Sequence, residues 1–249
     1  MIRTPAVLVV ALAAAGSLLA TAAAQQAVPA YITAAVNDPG RPADQRADDA
    51  VRLPAAVVTF SGMKAGDKVV DFLPGGGYYT RIFSKVVGPT GRVYAAVPAE
   101  NMARRANADA AVQAIAADAA YSNTTVIHPA NANFTTPEPA DIIWTSNNYH
   151  DLKNANDAAA MLALNKGIFN ALKPGGIYFV VDHEGAAGTG FTQTGSLHRI
   201  DPEALKAEIL QAGFVLDGES DVLDRPADDK TSHSAFETSQ VIFRFRKPG

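Results

Sequence analysis

Hydrophobic positions along the chain follow two different periods. Between residues 68 and 246, short runs rich in β-branched and aromatic residues alternate with longer stretches in which apolar residues recur every three or four positions. The short runs predict strands at 68–73, 92–97, 124–128, 141–146, 176–182, 214–223 and 240–246. The longer stretches predict helices at 79–87, 100–119, 156–172 and 202–212. This alternation is typical of a parallel sheet whose strands are joined by crossover helices.

The helical stretch at 156–172 is the best defined, because one face is lined by Met161, Leu164, Ile168 and Leu172. The runs at 214–223 and 240–246 are joined by a long polar connection instead of a helix. A connection of that kind predicts that the sheet is finished by an antiparallel edge strand. We therefore predict an α/β fold, a Rossmann-like, doubly wound seven-stranded sheet with an antiparallel edge strand.

The first residues follow a third pattern. Arg3 precedes an apolar run at 6–20, and the small residues at 21–24 form a cleavage site of the A-x-A kind. The 15 residues of that run fall short of the ~20 that a membrane-spanning helix needs, so a cleavable signal peptide at 1–24 is favoured over a membrane anchor. The sequence therefore predicts a periplasmic or secreted protein without membrane attachment after cleavage.

Two regions are predicted after the signal peptide. Residues 44–52 are rich in charge and alanine. Pro54 fits the first turn of a helix predicted at 53–61, because its missing N–H would have no partner there. We predict an N-terminal helical cap at 25–66. Residues 67–249 are predicted to form one domain that contains the whole sheet.

Composition narrows the range of functions. The 249 residues include 21 basic and 25 acidic side chains, and the formal net charge of −4 provides no positive field that would favour nucleic acid. Because the sequence has no cysteine, disulfides, thiol nucleophiles and iron–sulfur clusters are excluded. We expect a small-molecule partner, with the oligomeric state left open.

The turn after the first strand is the most informative segment, with the sequence V-V-D-F-L-P-G-G-G-Y-Y-T at 69–80. A buried strand ends in Asp71, and three glycines then lead into a helix. In a doubly wound sheet a ligand lies at this point, because glycines allow close approach and the helix N-terminus offers free N–H groups. A tight turn without a ligand is the alternative. The dinucleotide pattern G-x-G-x-x-G fails at Thr80, which argues against NAD.

Several segments in order resemble the class I S-adenosylmethionine-dependent methyltransferases, and more narrowly a group of secreted bacterial predicted methyltransferases. The resemblance covers the chain from about residue 44 onward. It rests on the turn at 70–80, G-R-V-Y-A at 91–95, A-D-I-I at 140–143, Y-H-D-L at 149–152, L-K-P-G-G at 172–176, L-H-R-I-D at 197–201 and A-G-F at 212–214. It implies the class I methyltransferase fold and S-adenosylmethionine as cofactor.

The resemblance also implies roles for particular residues. The acid of the first motif and the glycine turn would hold the methionine part of the cofactor, and residues 146–151 would lie near the transferring methyl group. The cofactor-binding residues that we expect are Asp71, Gly75, Gly76, Gly77, Tyr78, Glu100, Asn133 and Asn147.

The sequence departs from the family's pattern at two positions. Leu73 replaces the first glycine of the motif, so the turn must have a different shape. Val97 replaces the acid that usually binds both ribose hydroxyls, and an apolar side chain cannot accept those hydrogen bonds. Glu100, three residues on, is expected to reach back to them. Asn131 or Asn133 is expected to replace the acid near the adenine amine.

Polar residues that suit proton transfer follow the fourth and fifth predicted strands. We expect His150, Asp151 and His183 to be catalytic, with a histidine as the base near neutral pH and Asp151 or Asp182 as its orienting partner. For each histidine the alternative is a hydrogen-bonded loop residue. The glycine-rich loop at 184–195 predicts a mobile lid, with a surface connection as its alternative.

Two further alternatives concern the same region. These side chains, with Glu184 and His198, are of metal-binding types, but no H-x-x-x-H or H-E-x-x-H spacing occurs, so we expect no metal site. His128 and His233 are interpreted as structural or surface residues.

The sequence favours a methyltransferase with a small-molecule acceptor. The alternative, motivated by Val97 and the signal peptide, is an exported binding or accessory protein of the same fold without catalytic activity.

Overall fold

The structure, a computed structural model, describes residues 27–234 and 237–249. The predicted signal peptide at 1–24 lies outside the described residues. Within the described part, no helix combines the length and the apolar character that crossing a membrane requires.

A seven-stranded mixed sheet forms the centre of the molecule. Its strands are β1 Lys68–Phe72, β2 Arg92–Ala96, β3 Thr124–Ile127, β4 Ala140–Ser146, β5 Leu172–His183, β6 Val215–Ser220 and β7 Gln240–Arg246. Their order across the sheet is β3-β2-β1-β4-β5-β7-β6. The strands from β3 to β5 are parallel, and β7 runs antiparallel to both β5 and β6. The predicted α/β fold class is confirmed, with the antiparallel strand next to the edge formed by β6.

Helices cover both faces of this sheet. Those in the described residues are α1 Ala30–Val36, α2 Ala43–Ala47, α3 Asp49–Arg52, α4 Pro54–Ser61, α5 Tyr78–Val87, α6 Ala99–Arg104, α7 Ala110–Ala117, α8 Tyr149–Ala155, α9 Ala158–Ala171 and α10 Pro202–Leu210. The segment predicted as a helical cap is thus helical from α1 to α4. Val57 and Val58 of α4 are fully buried and share a core cluster with Val69 of β1.

The core lies on both sides of the sheet because successive strand side chains point to opposite faces. Val70 and Phe72 join the cluster that contains α9 and α10, whereas Val69 joins the cluster that contains α5. Trp144 is fully buried and stacks on Phe179 with ring centroids 4.1 Å apart.

Several elements differ from the sequence-based expectation, among them β5, which begins at Leu172 instead of residue 176. The helix predicted at 100–119 is divided into α6 and α7, because the intervening R-A-N-A-D segment contains Asn and Asp, which favour turns. The strand predicted at 214–223 ends at Ser220, where Asp221 accepts a turn hydrogen bond from the Asp224 N–H (2.8 Å). The helix α8 has no counterpart among the predicted elements, since its polar sequence has no long apolar period.

The carboxyl ends of the parallel strands lie side by side. Phe72 pairs with Ala96, and Ser146 pairs with Val181. The glycine turn, α6, α8 and the loop after β5 therefore meet along one side of the sheet, which we call the carboxyl edge. The candidate site lies at this edge, as expected for a doubly wound sheet.

Candidate functional site

The glycine turn joins β1 to α5 through left-handed backbone. Leu73, Gly75 and Gly77 have φ values of 62°, 54° and 75°. Residues other than glycine rarely adopt this region, so Leu73 has a backbone conformation that glycine usually supplies. The Leu73 N–H donates to the carbonyl of Ala96 (2.9 Å), which holds the turn against the end of β2.

The glycines of this turn differ in the space around them. A Cβ on Gly77 would lie 2.1 Å from Cδ1 of Ile115 in α7, whereas a Cβ on Gly75 would meet no atom within 4 Å. The carbonyl of Gly76 accepts a hydrogen bond from Gln45 Nε2 in α2 (3.2 Å). Packing of α7 therefore requires the glycine at 77, and the open part of the turn lies at Gly75.

Asp71 and Tyr78, both expected to contact the cofactor, have partners inside the protein. Asp71 is buried in β1, and its Oδ2 accepts a hydrogen bond from Thr80 Oγ1 (2.6 Å). Burial raises the pKa of the Asp71 carboxyl to about 7, against the smaller opposing effect of that hydrogen bond. The Tyr78 hydroxyl donates to Asp49 Oδ1 (2.6 Å), and the Arg52 guanidinium lies 4.7 Å from its ring centre. Tyr78 therefore faces the N-terminal helices.

Unpaired acceptors lie beyond the ends of β2 and β3. Glu100 Oε1 accepts a hydrogen bond from the Asn131 N–H (2.9 Å). Glu100 Oε2 and Asn131 Oδ1 are buried and have no hydrogen-bond partner among the described residues. Leaving a buried acceptor unpaired costs about 1–3 kcal/mol, so these atoms suit a ligand with hydroxyl or amine donors. Val97 is buried in an apolar cluster with α7.

Asn133 and Asn147, the other expected cofactor residues, are placed differently. Asn133 is exposed, and its backbone N–H donates to the carbonyl of Ala130 (3.1 Å). Asn147 directly follows β4 in left-handed backbone with φ 57°, and its buried Oδ1 has no partner among the described residues. The neighbouring Asn148 donates through Nδ2 to the Leu73 carbonyl (3.2 Å). That bond connects the glycine turn to the start of α8.

His150 and Asp182 form a buried pair between α8 and β5. His150 Nδ1 lies 2.6 Å from Asp182 Oδ1, and the His150 backbone N–H donates to Asp182 Oδ2 (2.8 Å). Burial alone would lower the pKa of His150, but the hydrogen bond and negative charge of Asp182 raise it above the ordinary value. Of the two expected orienting partners, Asp182 makes this contact. Asp151 has a side chain 58% exposed and lies 3.5 Å from His150 Nε2.

His183 lies at the end of β5 in a different environment. Its Nδ1 is 2.6 Å from the Thr238 hydroxyl, which itself donates to the Ser234 carbonyl (2.8 Å). Burial lowers the pKa of His183 to about 4, so this ring is neutral near pH 7. A neutral ring with Nδ1 engaged is a weaker base than His150.

His198 and His233 lie beside these two histidines. His198 is in left-handed backbone with φ 51°, and its Nδ1 lies 3.5 Å from Asp151 Oδ1. The rings of His183 and His233 are 4.9 Å apart, and those of His198 and His233 are 5.1 Å apart, centre to centre. His233 was interpreted from the sequence as a structural or surface residue, because nothing in its polar segment marks it. His128, the fifth histidine, pairs instead with Asp109 (3.1 Å).

Arg199 connects the segments that carry these histidines. Its buried guanidinium forms two hydrogen bonds with Asp228 (2.8 and 2.6 Å). It also donates to the carbonyls of Glu184 and Ser232 (2.7 Å each), the residues that follow His183 and precede His233. Arg199 therefore links the residue after His183 to the residue before His233.

The glycine-rich loop at 184–195 is anchored at several points. The backbone N–H groups of Gly188 and Gly190 donate to Asp201 Oδ2 (2.8 and 3.1 Å). Asn154 of α8 donates through Nδ2 to the Thr194 carbonyl (2.9 Å). These contacts place the loop next to α8 and the start of α10. Its movement as a lid stays a prediction.

The solved structures that this chain is similar to include methyltransferases. An S-adenosylmethionine-dependent methyltransferase from Aquifex aeolicus is similar with a TM-score of 0.54 at 19% identity, over 82% of this chain and 96% of that chain. The N-methyltransferase NodS from Bradyrhizobium japonicum is similar with a TM-score of 0.53 at 15% identity, over 83% and 98% of the two chains. No protein-family model and no curated protein matches the sequence. At these identities the similarity shows the class I methyltransferase fold, as the sequence predicted.

Proposed function

We propose that this protein is an S-adenosylmethionine-dependent methyltransferase that acts on a small-molecule acceptor. The observation that carries the proposal is the set of unpaired acceptors at the carboxyl edge, above all Glu100 Oε2. In the family's pattern an acid at the end of the second strand binds the ribose hydroxyls. Glu100 supplies a carboxylate oxygen three residues after Val97, in the first turn of α6.

The residues at this edge offer the kinds of hydrogen-bond acceptor that the cofactor needs. Glu100 Oε2 would accept hydrogen bonds from ribose hydroxyls, and Asn131 Oδ1 would accept one from the adenine amine. The open backbone at Gly75 would admit the methionine part. Asp71 would contribute indirectly, because it joins β1 to α5 through Thr80 and so shapes the turn.

The His150–Asp182 pair would accept the proton that the methyl acceptor releases. When bound, the cofactor supplies an electrophilic methyl group on a sulfonium. Asp182 accepts the hydrogen bond from His150 Nδ1, which leaves the unprotonated Nε2 available as a base. The buried carboxylate would then stabilise the imidazolium that forms. We propose a small acceptor because the net charge of −4 disfavours nucleic acid.

The test is calorimetric titration of the chain from Gln25 onward with S-adenosylmethionine and with its demethylated product. We expect saturable binding that Glu100→Gln weakens by about 10–100-fold, since a hydrogen bond to a charged group contributes about 1.5–3 kcal/mol. Glu203→Gln, an exposed acid in α10, is the matched control and should leave the affinity unchanged. No heat at millimolar concentration of either compound would overturn the proposal.

We also propose that the protein acts in the periplasm or outside the cell. The support is the sequence of residues 1–24, with its basic start, apolar run and small residues before Gln25. Mass spectrometry of the protein from a cell that exports it should give a chain that begins at Gln25. A full-length chain retained in the cytoplasm would contradict this part.

A further inference from the structure

Four of the chain's five histidines converge at the carboxyl edge, although they come from four separate segments. His150 is in α8, His183 ends β5, His198 is in the loop before α10, and His233 is in the connection between β6 and β7. In the order 150, 183, 233, 198 their rings form a closed circle with centre-to-centre distances of 5.9, 4.9, 5.1 and 5.3 Å. The four rings therefore form one cluster at this edge.

The distance of 5.3 Å between the ring centres of His150 and His198 matches that of two imidazoles on one metal ion. Imidazoles bound to a tetrahedral zinc ion at Zn–N distances of about 2.0–2.1 Å have ring centres about 5 Å apart. Ligand atoms of His150, Asp151 and His198 already lie within 4.8 Å of one another. Asp151 Oδ1 is 3.5 Å from both His150 Nε2 and His198 Nδ1, so one carboxylate oxygen lies between two imidazole nitrogens.

The hydrogen bonds behind the two buried rings determine which ring nitrogen carries the proton. The Thr238 hydroxyl donates its proton to the Ser234 carbonyl, so it accepts from His183 Nδ1. Asp182 likewise accepts from His150 Nδ1. Both rings therefore carry the proton on Nδ1 and leave the lone pair on Nε2 free. Metal-bound histidines almost always have such a partner on the other ring nitrogen.

The segments that carry the two outer rings are held in place as well. The left-handed backbone at His198 is uncommon for a residue with a side chain and persists only where surrounding contacts maintain it. Arg199 supplies those contacts, because it binds Asp228 and the carbonyl of Ser232, next to His233. One buried arginine thus fixes the positions of both outer histidines.

We propose that His150, His198 and Asp151 form a binding site for a divalent transition metal ion of the zinc class, with His183 and His233 beside it. Imidazole nitrogen with one carboxylate oxygen is a donor set that suits zinc and its neighbours more than magnesium or calcium. The proposal stands on the side-chain geometry and holds whether or not the cofactor binds. With a metal present, His150 Nε2 is a ligand and cannot act as the base, so the two roles exclude each other.

The test uses the chain from Gln25 onward, without an added histidine tag and freed of metal, titrated with Zn²⁺ alone. We expect about one equivalent to bind, and Co²⁺ to give the intense visible absorption of a tetrahedral site. His198→Ala removes a ligand and should weaken Zn²⁺ binding by at least about tenfold. His128→Ala is the matched control, because that ring lies outside the circle and should leave the affinity unchanged.

A third variant separates ligation from folding. Asp151→Asn keeps both rings but removes the carboxylate ligand, and should weaken Zn²⁺ binding by about 10–100-fold with the metal-free melting temperature little changed, because this side chain is 58% exposed. The proposal is overturned if Zn²⁺ does not saturate, or if His128→Ala weakens binding as much as His198→Ala. Titration of the same samples with S-adenosylmethionine tests the proposed function separately.

Discussion

The glycine turn offers the sharpest test of how the carboxyl edge is built, through the substitution Gly77→Ala. Gly77 has φ 75°, and a Cβ there would lie 2.1 Å from Cδ1 of Ile115. The substitution therefore combines two costs, a left-handed alanine and a steric clash. Gly75→Ala introduces only the first, because its φ of 54° is similar and no atom lies within 4 Å of the added carbon.

Each cost has a magnitude. A residue with a Cβ in left-handed backbone costs about 1–2 kcal/mol relative to glycine, and we expect this for both substitutions. Carbon atoms pack at about 3.5–4.0 Å, so the Ile115 side chain must move by well over 1 Å, and overpacking of this kind costs about 1–3 kcal/mol more. Gly77→Ala should therefore lower the free energy of unfolding by about 2–5 kcal/mol.

Urea unfolding followed by fluorescence measures these differences, since the single tryptophan, Trp144, is fully buried. Ile115→Val removes the clashing Cδ1 atom and completes a double-mutant cycle. Alone it should cost about 0.5–1.5 kcal/mol. Combined with Gly77→Ala it should recover about 1–3 kcal/mol relative to the sum of the single changes, whereas no such coupling is expected with Gly75→Ala. Equal destabilisation by Gly75→Ala and Gly77→Ala, or no coupling with Ile115→Val, would refute the reasoning.

Two other predictions concern buried carboxylates. The folded-state pKa of Asp71, about 7, lies above its unfolded value, so this group's contribution to stability is greatest below about pH 4 and is lost as the pH rises through 7. Asp71→Asn should remove a pH-dependent part of the free energy of unfolding of roughly 4 kcal/mol across that range. Urea midpoints of both proteins from pH 4.5 to 8 measure it, and parallel curves would contradict the idea. Asp228→Asn leaves Arg199 buried without its charged partner and should lower the free energy of unfolding by about 3–5 kcal/mol. Asp229→Asn, at the exposed neighbouring residue, should hardly change the urea midpoint. Equal effects of the two substitutions would contradict the role of the Arg199–Asp228 pair.

Much of the sheet follows from local sequence. The runs at β1, β2, β3 and β7 are short and apolar, and the predicted strands agree with them to within one or two residues. The helix α8 was missed because its sequence, Y-H-D-L-K-N-A, has few apolar residues. Its start is fixed instead by Asp182 from β5, which accepts the His150 backbone N–H. A partner so distant in sequence leaves no local pattern.

In the candidate site, too, local features follow from the sequence, whereas contacts between distant residues do not. The glycine turn and the departures at Leu73 and Val97 can be read directly from the sequence. The choice of Asp182 over Asp151 as partner of His150 depends on the pairing of β4 with β5. The approach of His233 to His183 depends on a connection without regular structure, which no spacing rule describes.

The position of β7 has a consequence for the order in which the sheet is completed. β7 follows β5 and β6 in sequence yet lies between them, so β6 has no strand to pair with until residues 240–246 arrive. A nascent or truncated chain that lacks β7 presents β5 as an open edge, available for pairing with another chain. Closure of this side is therefore a late, long-range folding event. The export that we propose from the sequence of residues 1–24 would be helped by this order, because a sheet that closes only with its last strand stays incomplete during synthesis.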